Sequence, residues 1–225
     1  MRLAAQLVLA STMAFSQTPN RMEIVVEKKS AAGPKSMDPG HVFEPGDLIR
    51  FRFKTNFSGY LYVLDQSTSG KSILLFPKDE TGRENKVDSG REYLLPASGL
   101  GWFKVEGPAG HEVVYWVVSP TDLATRETPA TQALQPTPAP APDQLPPGVT
   151  PRCDDTLFRA RGDCVDTSAG VRAIPKQEQV PESISRFGAD RDQDLIVAKQ
   201  QNRTTISSPE PLAGPVIYQF HLAHK

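Results

Sequence analysis

The residues best suited to chemistry lie in and around a short loop between the two cysteines of the chain, Cys153 and Cys164. The charged residues of this region are the acids Asp154, Asp155, Asp163 and Asp166 and the bases Arg159 and Arg161. Two carboxylates catalyse hydrolysis when folding holds them a suitable distance apart and separates their pKa values. One hypothesis is therefore a hydrolase or a carbohydrate-active accessory protein, with these acids converging in a concave pocket beside an arginine.

The cysteine pair itself favours a structural crosslink. A disulfide between Cys153 and Cys164 would close a small ring in a region poor in core residues. Chain entropy makes a ring of that size worth about 3 kcal/mol, and such crosslinks are typical of exported proteins. The alternatives are a reactive thiol and a metal site, and a metal site needs more Cys or His ligands than the neighbourhood offers. We predict the disulfide.

Gly70-Lys71-Ser72 is similar to the end of a phosphate-binding loop. That motif needs a glycine five residues before Gly70, where this chain has Asp65. It also opens a helix, whereas Ser72 begins a strand-like segment. We therefore interpret this tripeptide as a hairpin turn.

Asp190, Asp192 and Asp194 mimic the first half of a calcium-binding loop. The sixth position of such a loop should be glycine, and the twelfth should be glutamate. This chain has Leu195 and Gln201 there. Acidic residues at the start of a helix explain the run better.

The remaining polar residues form no catalytic set. His221 and His224 are three positions apart on a strand-like segment, so their side chains point to opposite faces and share no metal. The sequence has no Gly-x-Ser-x-Gly nucleophile elbow. We therefore predict a protein that is not an enzyme and that has no metal or cofactor.

Aromatic side chains offer a different kind of function, because exposed rings form platforms for a peptide or a glycan. Tyr115 and Trp116 are neighbours on a strand-like segment, so they face opposite sides and one of them belongs to the core. The candidate contact residues are Trp102, Trp116, Arg159 and Arg161.

A block of alternating apolar and polar residues from Glu44 to Pro120 must position these side chains. In its clearest segment, Leu48–Asn56, the residues Ile49, Phe51 and Phe53 face one way and basic residues face the other. Further short strand signals, separated by Gly and Pro, occur at 22–28, 60–66, 72–76, 93–95, 102–105 and 112–118. This pattern predicts an all-β fold, an immunoglobulin-like antiparallel β-sandwich over residues 17–120.

Residues 215–225 return to the strand pattern, with Val216, Tyr218, Phe220 and Leu222 on one face. We expect this terminal strand to pair back into the sandwich and complete it. Residues 121–214 then form a long, mostly irregular insertion before the last strand.

The insertion has several recognisable parts. A proline-rich tract at 129–151 predicts a stiff, extended spacer that leads to the cysteine loop. Pro181–Gly188 predicts a short helical turn. Asp190–Gln201 predicts a helix, because acids stand at its start and Lys199 stands near its end.

The amino terminus has the pattern of an export signal. Arg2 precedes an apolar stretch over residues 3–15, and small residues around Ser16 predict a signal peptide at residues 1–16. The apolar stretch is shorter than a bilayer span, so we predict no transmembrane segment after cleavage. The net charge of −1, without a basic stripe, argues against nucleic acid as a partner.

An ordered series of segments, at residues 43–51, 59–64, 69–77, 85–96 and 108–112, resembles a bacterial family known as domain of unknown function 4384 (DUF4384). The resemblance covers residues 22–120, with the terminal strand as a continuation. It implies an all-β domain, often found in exported or envelope-associated proteins, and it implies no activity. The motif positions with an expected structural role are Gly46, Asp47, Gly59, Tyr60, Leu75, Phe76, Pro77, Asn85, Gly90, Pro96, Gly110 and Glu112.

These patterns together predict an exported, non-enzymatic β-sandwich module that binds or scaffolds at the bacterial cell envelope. Its expected location is the periplasm or the outside of the cell. Its expected partner is an envelope protein or glycan, and the insertion would carry the cysteine loop outward as the contact element.

Overall fold

The computed structural model describes residues 19–66, 72–97, 101–123, 150–175, 178, 180–185, 187, 194–208 and 212–225. The predicted signal peptide, the proline-rich tract as far as residue 149, the turn at Gly70 and most of the aspartate run lie outside these residues. Within the described part, two antiparallel sheets pack face to face without closing into a barrel. The predicted all-β sandwich is confirmed.

Seven strands form the first sheet: β1 (Asn20–Ser30), β2 (Gly33–Ser36), β3 (Leu48–Thr55), β7 (Glu92–Leu95), β8 (Phe103–Lys104), β11 (Ile196–Gln200) and β12 (Arg203–Ser208). Their order is β11-β12-β1-β3-β7, with β2 paired to β1 and β8 paired to β3. Six strands form the second sheet: β4 (Gly59–Gln66), β5 (Ser72–Phe76), β6 (Lys86–Val87), β9 (Gly110–Ser119), β10 (Gly170–Ala173) and β13 (Val216–His224). Their order is β10-β13-β9-β4-β5, with β6 paired to β4.

Strand β3 shows how alternation produces the core. Ile49, Phe51 and Phe53 are each at most 2% exposed and face the second sheet. The residues between them face outward, where Arg50 Nε lies 2.7 Å and Arg52 Nε 2.9 Å from the carboxylate oxygens of the buried Glu27. The apolar face therefore fills the sandwich, and the basic face is partly neutralised by an acid from β1.

The terminal strand β13 lies in the middle of the second sheet. It pairs along its whole length with β9, from Val216 opposite Val118 to His224 opposite Gly110, and its other edge pairs with β10. The side chains of Tyr218 and Phe220 lie in the core between the sheets. The last residues are therefore an interior part of the sandwich.

The insertion contributes more regular structure than its sequence suggests. Strands β10, β11 and β12 all come from it, and they extend both sheets. The helix predicted over Asp190–Gln201 is wrong, because Ile196–Gln200 forms β11 and makes a hairpin with β12. Pairing of β12 with β1 and partial burial of Leu195 and Val197 against the core outweigh the local charge pattern.

Two short helices belong to the insertion, α1 (Asp155–Arg161) and α2 (Glu182–Ser185). The second lies within the predicted turn at Pro181–Gly188. Its Ile184 is 1% exposed and packs on the outer face of the second sheet, in a cluster with Tyr62 and Tyr115. Within the described part of the chain, no helix has the length and apolar character that a membrane crossing requires.

Candidate functional site

Cys153 and Cys164 form a disulfide with their Cα atoms 4.8 Å apart, which confirms the predicted crosslink. The ring encloses α1, and both ends of this helix are fixed locally. Asp154 Oδ1 accepts a hydrogen bond of 2.8 Å from the backbone N–H of Leu157, which caps the amino terminus. Gly162 ends the helix at φ 72°, a left-handed conformation that glycine adopts without a Cβ clash.

Backbone hydrogen bonds attach this loop to the sandwich. The N–H of Val42 donates to the carbonyl of Cys164 at 2.9 Å, and the N–H of Asp166 donates to the carbonyl of Gly40 at 2.8 Å. Val165 between them is buried. The loop therefore has a fixed position on the sandwich.

None of the seven residues of α1, all of them described, is buried. Phe158 is 51% exposed. Arg159 is exposed, and Arg161 lies 3.3 Å from Asp38 through its Nη1 while its side chain stays 50% exposed. The two predicted contact arginines thus lie on the surface beside an exposed aromatic ring.

The four acids considered for hydrolysis do not share a pocket in the described structure. Asp154 caps α1, and the depression beside Arg159 is lined by only one of the four acids, Asp155. Asp166 accepts hydrogen bonds from the backbone N–H groups of Arg152 and Ser168, at 2.9 and 2.8 Å. Burial raises the pKa of Asp166, but these bonds and that of the Ser168 hydroxyl outweigh burial and lower it. Asp154 and Asp166 therefore stabilise the loop through these hydrogen bonds.

Asp166, Ser168 and His111 come together but do not have the geometry of a catalytic triad. The Ser168 Oγ and the Asp166 Oδ2 both lie 3.4 Å from the same ring nitrogen, Nε2 of His111. A triad needs the acid on one nitrogen and the nucleophile on the other. The Ser168 hydroxyl also donates to Asp166 Oδ1 at 2.6 Å, so its proton is already engaged.

The two tryptophans differ sharply in environment. Trp116 is 0% exposed and packs between the sheets, with its ring centroid 5.5 Å from that of Phe53. Its assignment as a contact residue is wrong, because its position on β9 makes it the inward member of the Tyr115–Trp116 pair. Trp102 is half-buried, with the guanidinium carbon of Arg50 4.6 Å from its ring centroid.

The motif residues before β3 fix a tight turn. The carboxylate of Asp47 accepts a hydrogen bond of 3.0 Å from the backbone N–H of Glu44 and one of 2.6 Å from Lys28 Nζ. The N–H of Gly46 donates to the carbonyl of Val105 at 2.8 Å. This turn therefore connects β1, β3 and the segment that follows β8.

Gly59 opens β4 at a close backbone approach. A Cβ on this residue would lie 2.6 Å from the carbonyl oxygen of Ser119, so only glycine fits. Tyr60 follows opposite Ser119 and is half-buried.

The other motif residues hold strands and turns. The backbone carbonyl of Asn85 accepts from Leu61 at 2.8 Å, and the N–H of Gly90 donates to Thr55 at 2.7 Å. Gly110 begins β9. Leu75 and Phe76 pack on the core, and Pro77 and Pro96 each follow a cis peptide bond.

Three ionisable side chains lie together at one end of the core-facing side of the second sheet. They come from adjacent strands, with Asp65 on β4, Glu112 on β9 and His224 on β13. The strand register brings these three side chains together. Asp65 is opposite Val114, which is two residues from Glu112, and Leu222, two residues from His224, is opposite Glu112. Each strand thus ends its inward-facing row with an ionisable residue.

Asp65 and Glu112 form a hydrogen-bonded carboxyl pair. Burial, followed by the adjacent charge of Glu112, raises the pKa of Asp65 to about 8, and burial also raises the pKa of Glu112. His224 is 1% exposed, and its Nε2 lies 3.6 Å from Glu112 Oε1, beyond hydrogen-bond range. At neutral pH the pair therefore holds a shared proton.

The two histidines of β13 point to opposite faces, as predicted. His221 Nε2 lies 3.0 Å from the side-chain oxygen of Gln219 on the outer face, whereas His224 lies near Glu112. Burial, helped by the nearby charge of Arg172, lowers the pKa of His221 to about 4. The described residues contain no group of three or more metal-ligating side chains placed to hold an ion.

The titration of Asp65 predicts a specific dependence of stability on pH. Between its ordinary pKa of 3.8 and its folded value of about 8, the folded state binds more protons than the unfolded state. The protonated carboxyl therefore makes its full contribution to the free energy of unfolding below the ordinary pKa. This contribution is lost as the pH rises towards the folded pKa. Asp65→Asn should flatten this decline, whose slope reaches at most about 1.4 kcal/mol per pH unit, in urea unfolding measured from acidic to alkaline pH.

Glu106→Gln is the matched control, because the side chain of Glu106 is 66% exposed and paired with Lys104. It should leave the decline unchanged. A wild-type profile that does not fall with rising pH would contradict the assignment of the raised pKa.

Comparison with known proteins gives a match to the strand-rich part of the chain. No curated protein and no solved structure matches the chain. Residues 42–122 match the model of a family described as a domain of unknown function, DUF4384. The matched span includes Asp65 and Glu112, whereas the disulfide loop and β13 lie outside it. The predicted resemblance to the DUF4384 family is therefore confirmed as a match of residues 42–122 to its model.

Proposed function

We propose that this protein is an exported, non-enzymatic binding module of the bacterial cell envelope, located in the periplasm or outside the cell. It contacts an envelope protein through α1, the helix inside the disulfide ring. The export pattern of the amino terminus and the disulfide support the location. The exposure of α1 supports the contact.

One observation carries the proposal: α1 buries none of its residues although a disulfide, an N-cap and a C-cap hold it in place. A segment without buried side chains adds little to the core. Holding such a segment rigid lowers the entropy lost when a partner binds it. The arrangement therefore suits a contact element better than a structural one.

The side chains of α1 indicate the chemistry of the partner. Phe158 supplies an exposed aromatic ring, and Arg159 and Arg161 add positive charge beside it. Aromatic and arginine side chains dominate the energy of protein–protein contacts. We expect a protein surface with an apolar pocket for Phe158 and an acidic rim.

Phe158→Ala should weaken binding to the envelope partner by about 30-fold or more, because central aromatic anchors contribute 2 kcal/mol or more. The partner is first trapped in living cells by a photo-crosslinking amino acid at position 158, and its affinity is then measured with purified proteins. Leu94 on β7 is the matched control, since it is 39% exposed and far from α1 in sequence. Leu94→Ala should leave the affinity within about threefold of wild type, and position 94 should give no adduct.

Adducts that form equally at positions 94 and 158 would contradict the contact through α1. Some adducts could be removed by a peptidoglycan hydrolase and not by a protease. Such adducts would show that the partner is a glycan and not a protein. Recovery of the chain in the cytoplasmic fraction, with its cysteines reduced, would contradict export.

A further inference from the structure

A cavity of about 260 Å³ opens between the two sheets at the end where the carboxyl pair lies. Its apolar walls include Ile49, Phe51 and Phe103 from the first sheet and Ile73, Leu75 and Leu222 from the second. Asp65 and Glu112 also line it. A largely apolar hollow with a small number of converging polar groups is the usual form of a small-molecule site.

One oxygen of the carboxyl pair lacks a hydrogen-bond donor among the described residues. Asp65 is 7% exposed, and among the described residues no hydrogen-bond donor contacts its Oδ1. A buried acceptor without a donor costs free energy, so a ligand that donates a hydrogen bond here gains by satisfying it. This oxygen belongs to a side chain that lines the cavity.

The charges around the cavity favour a cation. Lys104 and Glu106 also line it, but they pair with each other, with Lys104 Nζ 2.6 Å from Glu106 Oε1. The described cavity-lining residues of β3, β5 and β13 are apolar. His224 approaches the pair through Glu112, and it does not line the cavity. Among the described residues that line the cavity, Asp65 and Glu112 therefore supply the unbalanced negative charge.

We propose that the cavity binds a small organic cation, a primary ammonium group on a short hydrocarbon chain. The ammonium group donates to Asp65 Oδ1, and the hydrocarbon chain lies along the apolar walls. An ammonium group offers three donors and suits a site that has an acceptor to satisfy and negative charge to balance. This site is separate from α1 and does not depend on the proposed partner.

The test is titration calorimetry of the full chain with hexylamine hydrochloride as the probe. Hexylamine should bind with a Kd below about 1 mM, and 1-hexanol and sodium hexanoate should bind at least about tenfold more weakly. Because ionised Asp65 is the better partner, binding should tighten by up to about tenfold per pH unit as the pH rises towards 8. Asp65→Asn should weaken binding by about 30-fold or more and abolish this pH dependence.

Two further variants distinguish a loss of binding from a loss of folding. Ile73→Trp should block the cavity, and this position tolerates a larger side chain because Ile73 is 38% exposed. Glu80→Gln, a change of the same chemical kind at a side chain that is 63% exposed and does not line the cavity, should alter the Kd by less than about threefold. Thermal melting of each variant shows whether it is folded.

Four results would overturn the proposal. The first is hexanol binding as tightly as hexylamine, which would mean that the cavity only takes up apolar chains. The second is hexanoate binding most tightly. The third is unchanged binding to folded Asp65→Asn or Ile73→Trp. The fourth is a Kd weaker than about 1 mM for hexylamine throughout the pH range, which would leave the carboxyl pair as a structural, hydrated feature.

Discussion

Deleting residues 215–225 should leave a chain that no longer folds cooperatively, which is the largest effect we expect from any change to this protein. The deletion removes β13 from between β9 and β10. It also removes the buried side chains of Tyr218, Phe220 and Leu222 from the core. Full burial of each such side chain stabilises by about 1.5–3 kcal/mol, and a whole domain is stable by only about 5–15 kcal/mol.

Urea unfolding followed by circular dichroism and tryptophan fluorescence measures this effect. The matched control removes Lys225 alone, whose side chain is 52% exposed and contacts Glu44 at the surface. That control should lose less than about 1 kcal/mol. Equal melting of the shortened and full chains would show that β13 contributes nothing to the fold.

Trp116→Ala should lower the free energy of unfolding by about 3–5 kcal/mol, the range for a fully buried large aromatic. Trp116 is 0% exposed, and its ring lies between Phe53 at 5.5 Å and Tyr218 at 6.4 Å, with Phe51 at 5.4 Å edge-on. The truncation would leave a large cavity where the two sheets meet. The surrounding strands are hydrogen-bonded on both sides and have little freedom to close it.

The chain carries its own matched control, since Trp102 is its other tryptophan. Trp102 is half-buried against Arg50, and a contact of this kind is worth about 0.5–1 kcal/mol. Trp102→Ala should therefore cost about 1 kcal/mol, measured by the same urea titration. Similar losses in the two variants would contradict the placement of Trp116 at the centre of the core.

Local alternation explains why much of the sandwich was predictable from sequence. The inward rows of β3 and β13 are visible as every second residue. Burial alternates with that row in β3, whereas β13 is buried on both faces at every position except His221. The local sequence pattern is misleading for β11, which it predicts to be part of a helix. Its residues are mostly exposed, so the pattern is weak, and pairing with β12 together with the partial burial of Val197 holds it extended. Such distant pairings are set by tertiary structure.

The carboxyl pair was missed for a related reason. In the sequence, Glu112 is a motif position with an expected structural role, and Asp65 is the residue that excludes a phosphate-binding loop. The inward row Leu61, Val63, Asp65 does contain a signal, because a charged residue continues an apolar face. That signal identifies one candidate on each strand, but only the register of β4 with β9 places Asp65 beside Glu112. Burial then changes the chemistry of both groups, and a sequence does not give burial.

The pairing of β1 with β12 has a kinetic consequence. It joins residues as distant in the chain as Asn20 and Ser208. Strand β9 likewise pairs with β13, at the far end of the chain. Folding slows as the mean sequence separation of contacts grows, because loop closure costs entropy before the contacts form. The ring between Cys153 and Cys164, separated by 11 positions, closes without any of these contacts. We therefore expect refolding on a timescale of milliseconds to seconds, with the crosslinked helix formed first and the two sheets assembled last.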